Sequence, residues 1–206
     1  TFRNFQLTDG TAKDYLGFGA GVRNLPSSFP AHLGEHSTDE AAAFTRQINQ
    51  RWGINKLTAI PDQKISLTSH RSYDVGGWKI GNITNLNWST EFDYSETVNN
   101  NYIAYDVKND VSRPRFEYND IRYKNTSKLG ALFNWSFQRD GSKYELRNFF
   151  SQRGVSALTQ REGMNYYSDK DIRKWESLYT GRTTYSGQIS GVHTLRENVN
   201  KVDWTV

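Results

Sequence analysis

His32 and His36 stand four residues apart, with Glu35, Asp39 and Glu40 close by. On a helix, histidines at i and i+4 can share a metal ion. Here Pro30 and Gly34 make the stretch a loop, and the first helix-capping signal comes after His36, so a solvated loop is the better reading. His70 and His193 fall inside runs of strand-like alternation and read as structural. Gly17-Phe-Gly-Ala-Gly21 is rich in glycine but lacks the strand–turn–helix context of a nucleotide-binding loop. No Gly-x-Ser-x-Gly elbow occurs, and no carboxylate pair separates itself from the many Asp and Glu that alternate with Lys and Arg. Asn-x-Ser/Thr triplets at Asn82, Asn87, Asn125 and Asn134 all fall within predicted strands, which argues against glycan acceptors. No catalytic, cofactor-binding or metal-binding residue is therefore assigned, and the chain is not read as an enzyme. Asn99–Asp106 and Arg113–Tyr118 combine Tyr, Asn and Arg. That mixture suits carbohydrate or peptide contacts by stacking and hydrogen bonding, and equally suits loops that pack on one another. No ligand-binding residue is singled out.

The elements that would carry these residues follow a period of two. In Trp78–Tyr94, one parity reads Trp78, Ile80, Asn82, Thr84, Leu86, Trp88, Thr90, Phe92, Tyr94; the other reads Lys79, Gly81, Ile83, Asn85, Asn87, Ser89, Glu91, Asp93. Such alternation is a strand with two unlike faces. Its seventeen residues span roughly 55 Å, against about 5–6 residues for an ordinary strand. The same pattern predicts strands near 1–7, 63–75, 78–95, 120–138, 143–156, 173–195 and 201–206. Gly76-Gly77, Asp140-Gly141 and Glu197–Asn200 read as tight turns. Residues 8–62, 96–119 and 157–171 read as long connections, so short and long links alternate. Within the first of them, Ser37-Thr-Asp-Glu40 forms a capping box, and Phe44, Ile48 and Trp52 make one stripe of a helix ended by Gly53. This helix is expected to pack over the mouth of a barrel.

Composition agrees with this pattern. The chain is 35% hydrophobic, with 6 Trp, 12 Tyr and 11 Phe, and its mean hydropathy is −0.80. It is too polar for a helical membrane protein, which needs about 20 consecutive apolar residues per span. It is too aromatic for a disordered chain. A transmembrane β-barrel gives this combination, because half of each strand touches lipid. The net charge of +4 comes from charges mixed in sign along the chain, so no nucleic-acid footprint is read. Cysteine is absent, which excludes disulfides and thiolate metal sites. There is no initiator Met or signal peptide, and the pattern is interrupted at both ends. A piece of a longer polypeptide is expected.

Several phrases resemble a known family. Phe2-Arg-Asn-Phe5, Val22-Arg-Asn-Leu-Pro-Ser-Ser-Phe-Pro30, the helix ending in Trp52, Pro61-Asp-Gln-Lys-Ile-Ser-Leu67, Lys128-Leu-Gly-Ala-Leu-Phe-Asn-Trp135 and Arg182-Thr-Thr-Tyr-Ser-Gly-Gln188 look like the first part of the barrel in TonB-dependent outer-membrane receptors. The likeness is to the large group with an N-terminal carboxypeptidase-regulatory-like domain. These are structural phrases, so they speak for a family rather than a substrate. The resemblance implies an all-β fold, a transmembrane antiparallel β-barrel of about 22 strands with a plug in its lumen, and one short helix in an extracellular loop. Its implied partners are outer-membrane lipid, the plug domain, the TonB complex and, in some cases, a surface lipoprotein. Its implied place is the Gram-negative bacterial outer membrane, crossed many times. The chain departs from the family pattern in having no plug, no TonB box and too few strands to close the barrel.

The expected function is TonB-dependent active transport of a nutrient, with this segment supplying barrel wall and extracellular loops. The tight turns would be periplasmic and the long connections extracellular, where they would capture ligand. Trp78, Ile80, Leu86, Trp88, Phe92 and Tyr94 are expected to face lipid, and Lys79, Asn85, Asn87, Glu91 and Asp93 the lumen. The alternatives are a secreted soluble β-rich carbohydrate-binding module and an outer-membrane barrel of another kind, such as an enzyme or secretion pore.

Overall fold

In a computed structural model of the chain, residues 2–48, 53–195 and 200–206 are described. Two sheets dominate. The larger is an antiparallel meander of six strands in sequential order: β3 (Gln63–Val75), β4 (Trp78–Asp106), β5 (Val111–Arg139), β6 (Ser142–Asn165), β7 (Lys170–Leu195) and β8 (Asn200–Thr205). The smaller pairs β1 (Phe2–Thr8) with β2 (Ile54–Ala59). The chain is therefore all-β, with one short helix, α1 (Thr38–Arg46), and three 3₁₀ turns among the described residues. The described strands form open sheets: β3 and β8 are the two edges of the larger one.

The basal turns follow from local chemistry. Gly76 and Gly77 have φ of 56° and 81°, and Asp140 and Gly141 have 46° and 78°. Two consecutive left-handed residues make the two-residue turn whose twist matches paired strands, and Gly and Asp tolerate that region. The third expected turn falls at residues 196–199, outside the described residues.

The far ends depart from expectation. Residues 96–119 and 157–171 are not long loops. β4 and β5 remain paired to Asp106↔Val111 and β6 and β7 to Asn165↔Lys170, so loops of only four residues, 107–110 and 166–169, close the hairpins. At 29 residues, β4 and β5 are each roughly 90 Å long. Over residues 96–113 and 166–171 nearly every side chain is exposed on both faces, so no apolar alternation marks them, whereas Tyr118, Ala157 and Leu158 nearer the sheet's centre are buried. Each closing loop uses the same device. Asp106 accepts from the backbone N–H groups of Lys108 (3.1 Å) and Asn109 (3.3 Å), and Asn165 from those of Tyr167 (3.1 Å) and Ser168 (3.2 Å). Asp110 and Asp169, at φ 52° and 51°, complete the two loops.

The first connection also differs. Residues 54–59 form β2, which pairs with β1, so β1 does not join the larger sheet. The capping box is present: Glu40 N–H donates to Ser37 Oγ and Ser37 N–H to a Glu40 carboxylate oxygen. The helix ends at Arg46 rather than at Gly53. Its last turn tightens into i→i+3 bonds, Gln47 N–H to Phe44 O at 3.0 Å and Ile48 N–H to Thr45 O at 3.2 Å. Trp52 lies outside the described residues. The helix buries none of its residues; Phe44 contacts Phe29 and His36 of its own loop.

Register places the facing residues of neighbouring strands on one side of the sheet. One face carries Tyr73, Ile80, Phe137, Tyr144, Gly191 and Trp204 in a single row. Farther up, the same face carries Phe92, Tyr94, Tyr123 and Leu158. The sequence places Phe92 and Tyr94 against lipid. The structure instead packs them under the small sheet, where Phe5 is 1% exposed, with its ring 5.4 Å from Phe92 and 5.2 Å from Tyr123. Leu7, Leu57 and Ile121 complete this cluster. The aromatic face is thus divided: its upper part is a packed core and its lower part is uncovered.

Candidate functional site

Three surfaces have the geometry to do something. The first is the place where the N-terminal segment docks. A row of small residues, Thr90, Ser127, Gly154 and Gly181, crosses the sheet, and the backbone of Gly17–Ala20 lies on it. A Cβ at Gly154 would stand 2.6 Å from Gly17 Cα and 2.4 Å from the Tyr179 hydroxyl; a Cβ at Gly181 would stand 3.3 Å from Ala20 Cβ. Gly17 itself has φ +82°. Of the glycines in this stretch, Gly17 is there for close approach of two backbones, since a Cβ on it would stand 2.9 Å from Gly154 N. Polar contacts fasten the segment. Gly19 N–H donates to the Tyr179 hydroxyl at 2.8 Å, Trp88 Nε1–H to Tyr15 O at 2.6 Å, and the Gln152 amide to Gly17 O. Arg23 donates to both Asp14 carboxylate oxygens, at 3.1 and 2.8 Å, and lies 4.3 Å above the Tyr179 ring. Burial pushes the Tyr179 phenol above its ordinary pKa.

Beside this dock is a cavity of about 410 Å³. Leu7, Leu57, Phe92 and Tyr15 supply its apolar wall, and Thr8, Asn55, Asn125 and Ser156 its polar groups. It is large enough for a sugar-sized molecule. Sequence reading named Phe92 and Asn125 for other reasons and did not bring these residues together, because they come from five separate segments: residues 7–15, β2, β4, β5 and β6.

The second surface is the pair of distal hairpins. Tyr102, Tyr105, Tyr166 and Tyr167 are exposed there. Phe116 stacks on Tyr118 at 4.6 Å, and Arg115 lies 5.4 Å over Tyr167. Tyr166 donates to Glu117 at 2.7 Å, which raises the phenol's pKa. Tyr105 donates to Asp110, with the same effect. The two stretches that sequence marks for Tyr, Asn and Arg, 99–106 and 113–118, do come together, as adjacent strands of one hairpin.

The third is the uncovered lower face. Ile65, Leu67, Tyr73 and Val75 of β3, Leu86 of β4, Phe133 of β5, Tyr144 of β6, Tyr185 and Ile189 of β7, and Val202 and Trp204 of β8 are all exposed on it. Over the same height the opposite face exposes Ile83 and Phe149 among Lys79, Lys143, Glu145 and Arg147. At the base, Trp78, Tyr144, His193 and Trp204 form a linked aromatic row. Ring centroids are 6.3 Å apart for Trp78–Tyr144, 5.1 Å for Tyr144–His193 and 6.4 Å for His193–Trp204. Trp204 Nε1–H donates to His193 Nε2 at 3.0 Å, so the imidazole proton sits on Nδ1, 3.1 Å from Ser142 Oγ. Gly191 leaves room for the Trp204 ring, which a Cβ would meet at 2.4 Å.

The histidine pair of the first loop does not form a site. His36 contacts Phe44 and stands 3.9 Å from Glu40, and no group of three His, Asp or Glu side chains converges among the described residues. No described helix is long and apolar enough to cross a membrane, which says nothing of strands. Comparisons with protein-family models, with curated proteins and with solved structures found no match.

Proposed function

We propose that this chain is wall and extracellular superstructure of an outer-membrane β-barrel, and that the barrel is a TonB-dependent receptor importing a nutrient. One observation carries the membrane reading: the uncovered apolar band has the height of a bilayer. From Trp78 to Trp88, and from Ile65 to Val75 opposite, the band is eleven residues tall, and among the described residues the N-terminal segment meets it only at its upper rim, at Trp88 and Phe150. A tilted spanning strand needs about 9–11 residues. The aromatic row at its base corresponds to an interfacial girdle. Above the band the face is covered by the N-terminal segment, and the strands continue as tall hairpins that would stand outside the cell. The free edges of β3 and β8 would be closed by further strands, since unpaired backbone groups cost several kcal/mol each in lipid. The charged face would line the lumen. The receptor assignment rests on the sequence resemblance. In that reading the distal Tyr-rich hairpins meet the ligand first, and energy arrives through a plug and the TonB complex.

The chain has no native cysteine, so single-cysteine labelling is unambiguous. In intact cells Asn100→Cys should react with a membrane-impermeant thiol reagent and Asp140→Cys should not. The reverse pattern would sink the topology.

A second reading has its own support. The packing of Phe5 on Phe92 and Tyr123, and the cavity beside it, suit a secreted soluble carbohydrate-binding module. That reading requires the chain to remain monomeric in solution without detergent, with its lower apolar band exposed. Contiguous apolar patches beyond a few hundred Å² are rare on soluble monomers.

A further inference from the structure

The charged face holds a local imbalance. Register places Lys128, Arg153 and Arg182 directly opposite one another on three adjacent strands, β5, β6 and β7. Lys128 has a partner, Glu91, at 3.2 Å. Arg153 and Arg182 have no ion pair, hydrogen bond or aromatic contact through their side chains among the described residues, and both are exposed. Like charges directly opposite across a strand pair destabilise it. The same-face positions around them bring no relief. The row below places Ser151 opposite Thr184, and the row above places Val155 opposite Thr180. Glu91 lies on β4, two strands from Arg153, or about 10 Å at the usual strand spacing, and is already engaged by Lys128. Several other cations on this face have a carboxylate partner, Lys124 with Asp93, Lys143 and Arg147 with Glu145, and Arg161 with Asp120; Lys64, Lys79 and Arg122 have no ion pair among the described residues, but none of these three stands directly opposite another cation.

We propose that Arg153 and Arg182 form a binding site for a tetrahedral oxyanion, the phosphate or sulfate ester group of a small ligand. Facing residues have Cβ atoms about 5 Å apart, so two guanidinium forks can close on one group. Each fork presents parallel N–H donors that match such oxygens, and the Ser151 and Thr184 hydroxyls add donors from the row below. This donor set exceeds what the two oxygens of a carboxylate can accept and suits a group with three or four oxygens. The site depends on the pairing of β6 and β7 alone and stands whether or not the sheet lies in a membrane.

Titration of the purified protein with inorganic phosphate and with sulfate, at matched ionic strength and with acetate as control, tests this. The expected result is saturable binding of one tetrahedral anion, weak response to acetate, and at least a tenfold loss of affinity in Arg153→Gln and in Arg182→Gln. Without added anion, Arg182→Gln should melt at the same temperature as the parent or higher, because the opposed charges are relieved. Binding that survives both substitutions would mean an adventitious ion only and would overturn the proposal. So would an absence of binding, or a lower melting temperature for Arg182→Gln in a protein indifferent to anions, which would reveal a carboxylate of the polypeptide itself as the partner.

Discussion

Arg161 grips Asp120 across β5 and β6 with two parallel hydrogen bonds, Nε to Oδ1 at 2.7 Å and Nη2 to Oδ2 at 2.6 Å, while its guanidinium lies 4.9 Å over the Tyr118 ring. The two residues are direct register partners, so neither side chain bends to reach the other. The pair clamps the base of the distal hairpins, several rows above the apolar band.

Hydrogen bonds from Arg161 hold the Asp120 carboxyl below the usual carboxylate range, against the opposing effect of its partial burial. The folded pKa therefore lies below the unfolded value of about 3.9. The bridge stabilises the fold fully above that value, and the contribution is lost as pH falls through the folded pKa. Asp120→Asn should cost about 1 kcal/mol at neutral pH. Melting curves of parent and variant should converge as pH drops from 5 towards 2; a gap that stays constant would contradict this account.

Gly154→Ala should loosen the N-terminal segment. The new methyl meets Gly17 Cα and the Tyr179 hydroxyl inside contact distance, and overpacking of this kind costs about 1–3 kcal/mol. Limited proteolysis should then cut within residues 8–23 faster than in the parent. Gly21→Ala, with nothing within 4 Å of its Cβ, should cut at the parental rate.

Position on the sheet should decide the cost of a charge. Leu86→Arg places a cation on the exposed apolar band, where a lipid-facing Arg costs about 2–4 kcal/mol at mid-bilayer. Its neighbour Asn85→Arg points to the charged face. Membrane fractionation should show reduced incorporation for the first and parental incorporation for the second. Equal incorporation of both would argue for the soluble module.

The hairpin loop 107–110 should depend on Asp106 as an acceptor rather than as a charge. Asn109 and the backbone N–H groups hold its carboxyl below the usual range. Asp106→Asn retains an acceptor oxygen; Asp106→Ala removes it. Losing that acceptor should speed amide exchange at Lys108 and Asn109 severalfold, and only in the alanine variant.

What could be read from sequence follows the range of the forces involved. Strand periodicity over 63–75, 78–95 and 120–138, the turns at Gly76-Gly77 and Asp140-Gly141, and the Ser37–Glu40 cap all depend on residues within a few positions. Each is present in the structure. The glycine-rich stretch 17–21 was recognisable as unusual, but Gly154, which Gly17 meets, and Gly181, which Ala20 meets, lie more than a hundred residues away, so its purpose was not. The outer parts of 96–119 and 157–171, residues 96–113 and 166–171, carried no signal, because strands exposed on both faces need no apolar face.

The residues of this chain determine by themselves that it makes long, two-faced antiparallel strands joined by tight turns, since alternation and left-handed turn residues act locally. Only the tertiary structure decides which part of the aromatic face is core. Phe92 and Leu86 share a parity and a strand and look alike in sequence. Phe92 packs under Phe5, Leu7 and Leu57, and Leu86, outside that cluster, stays half exposed. Burial is a property of what comes from elsewhere in the chain, and the alternation within one strand cannot encode it.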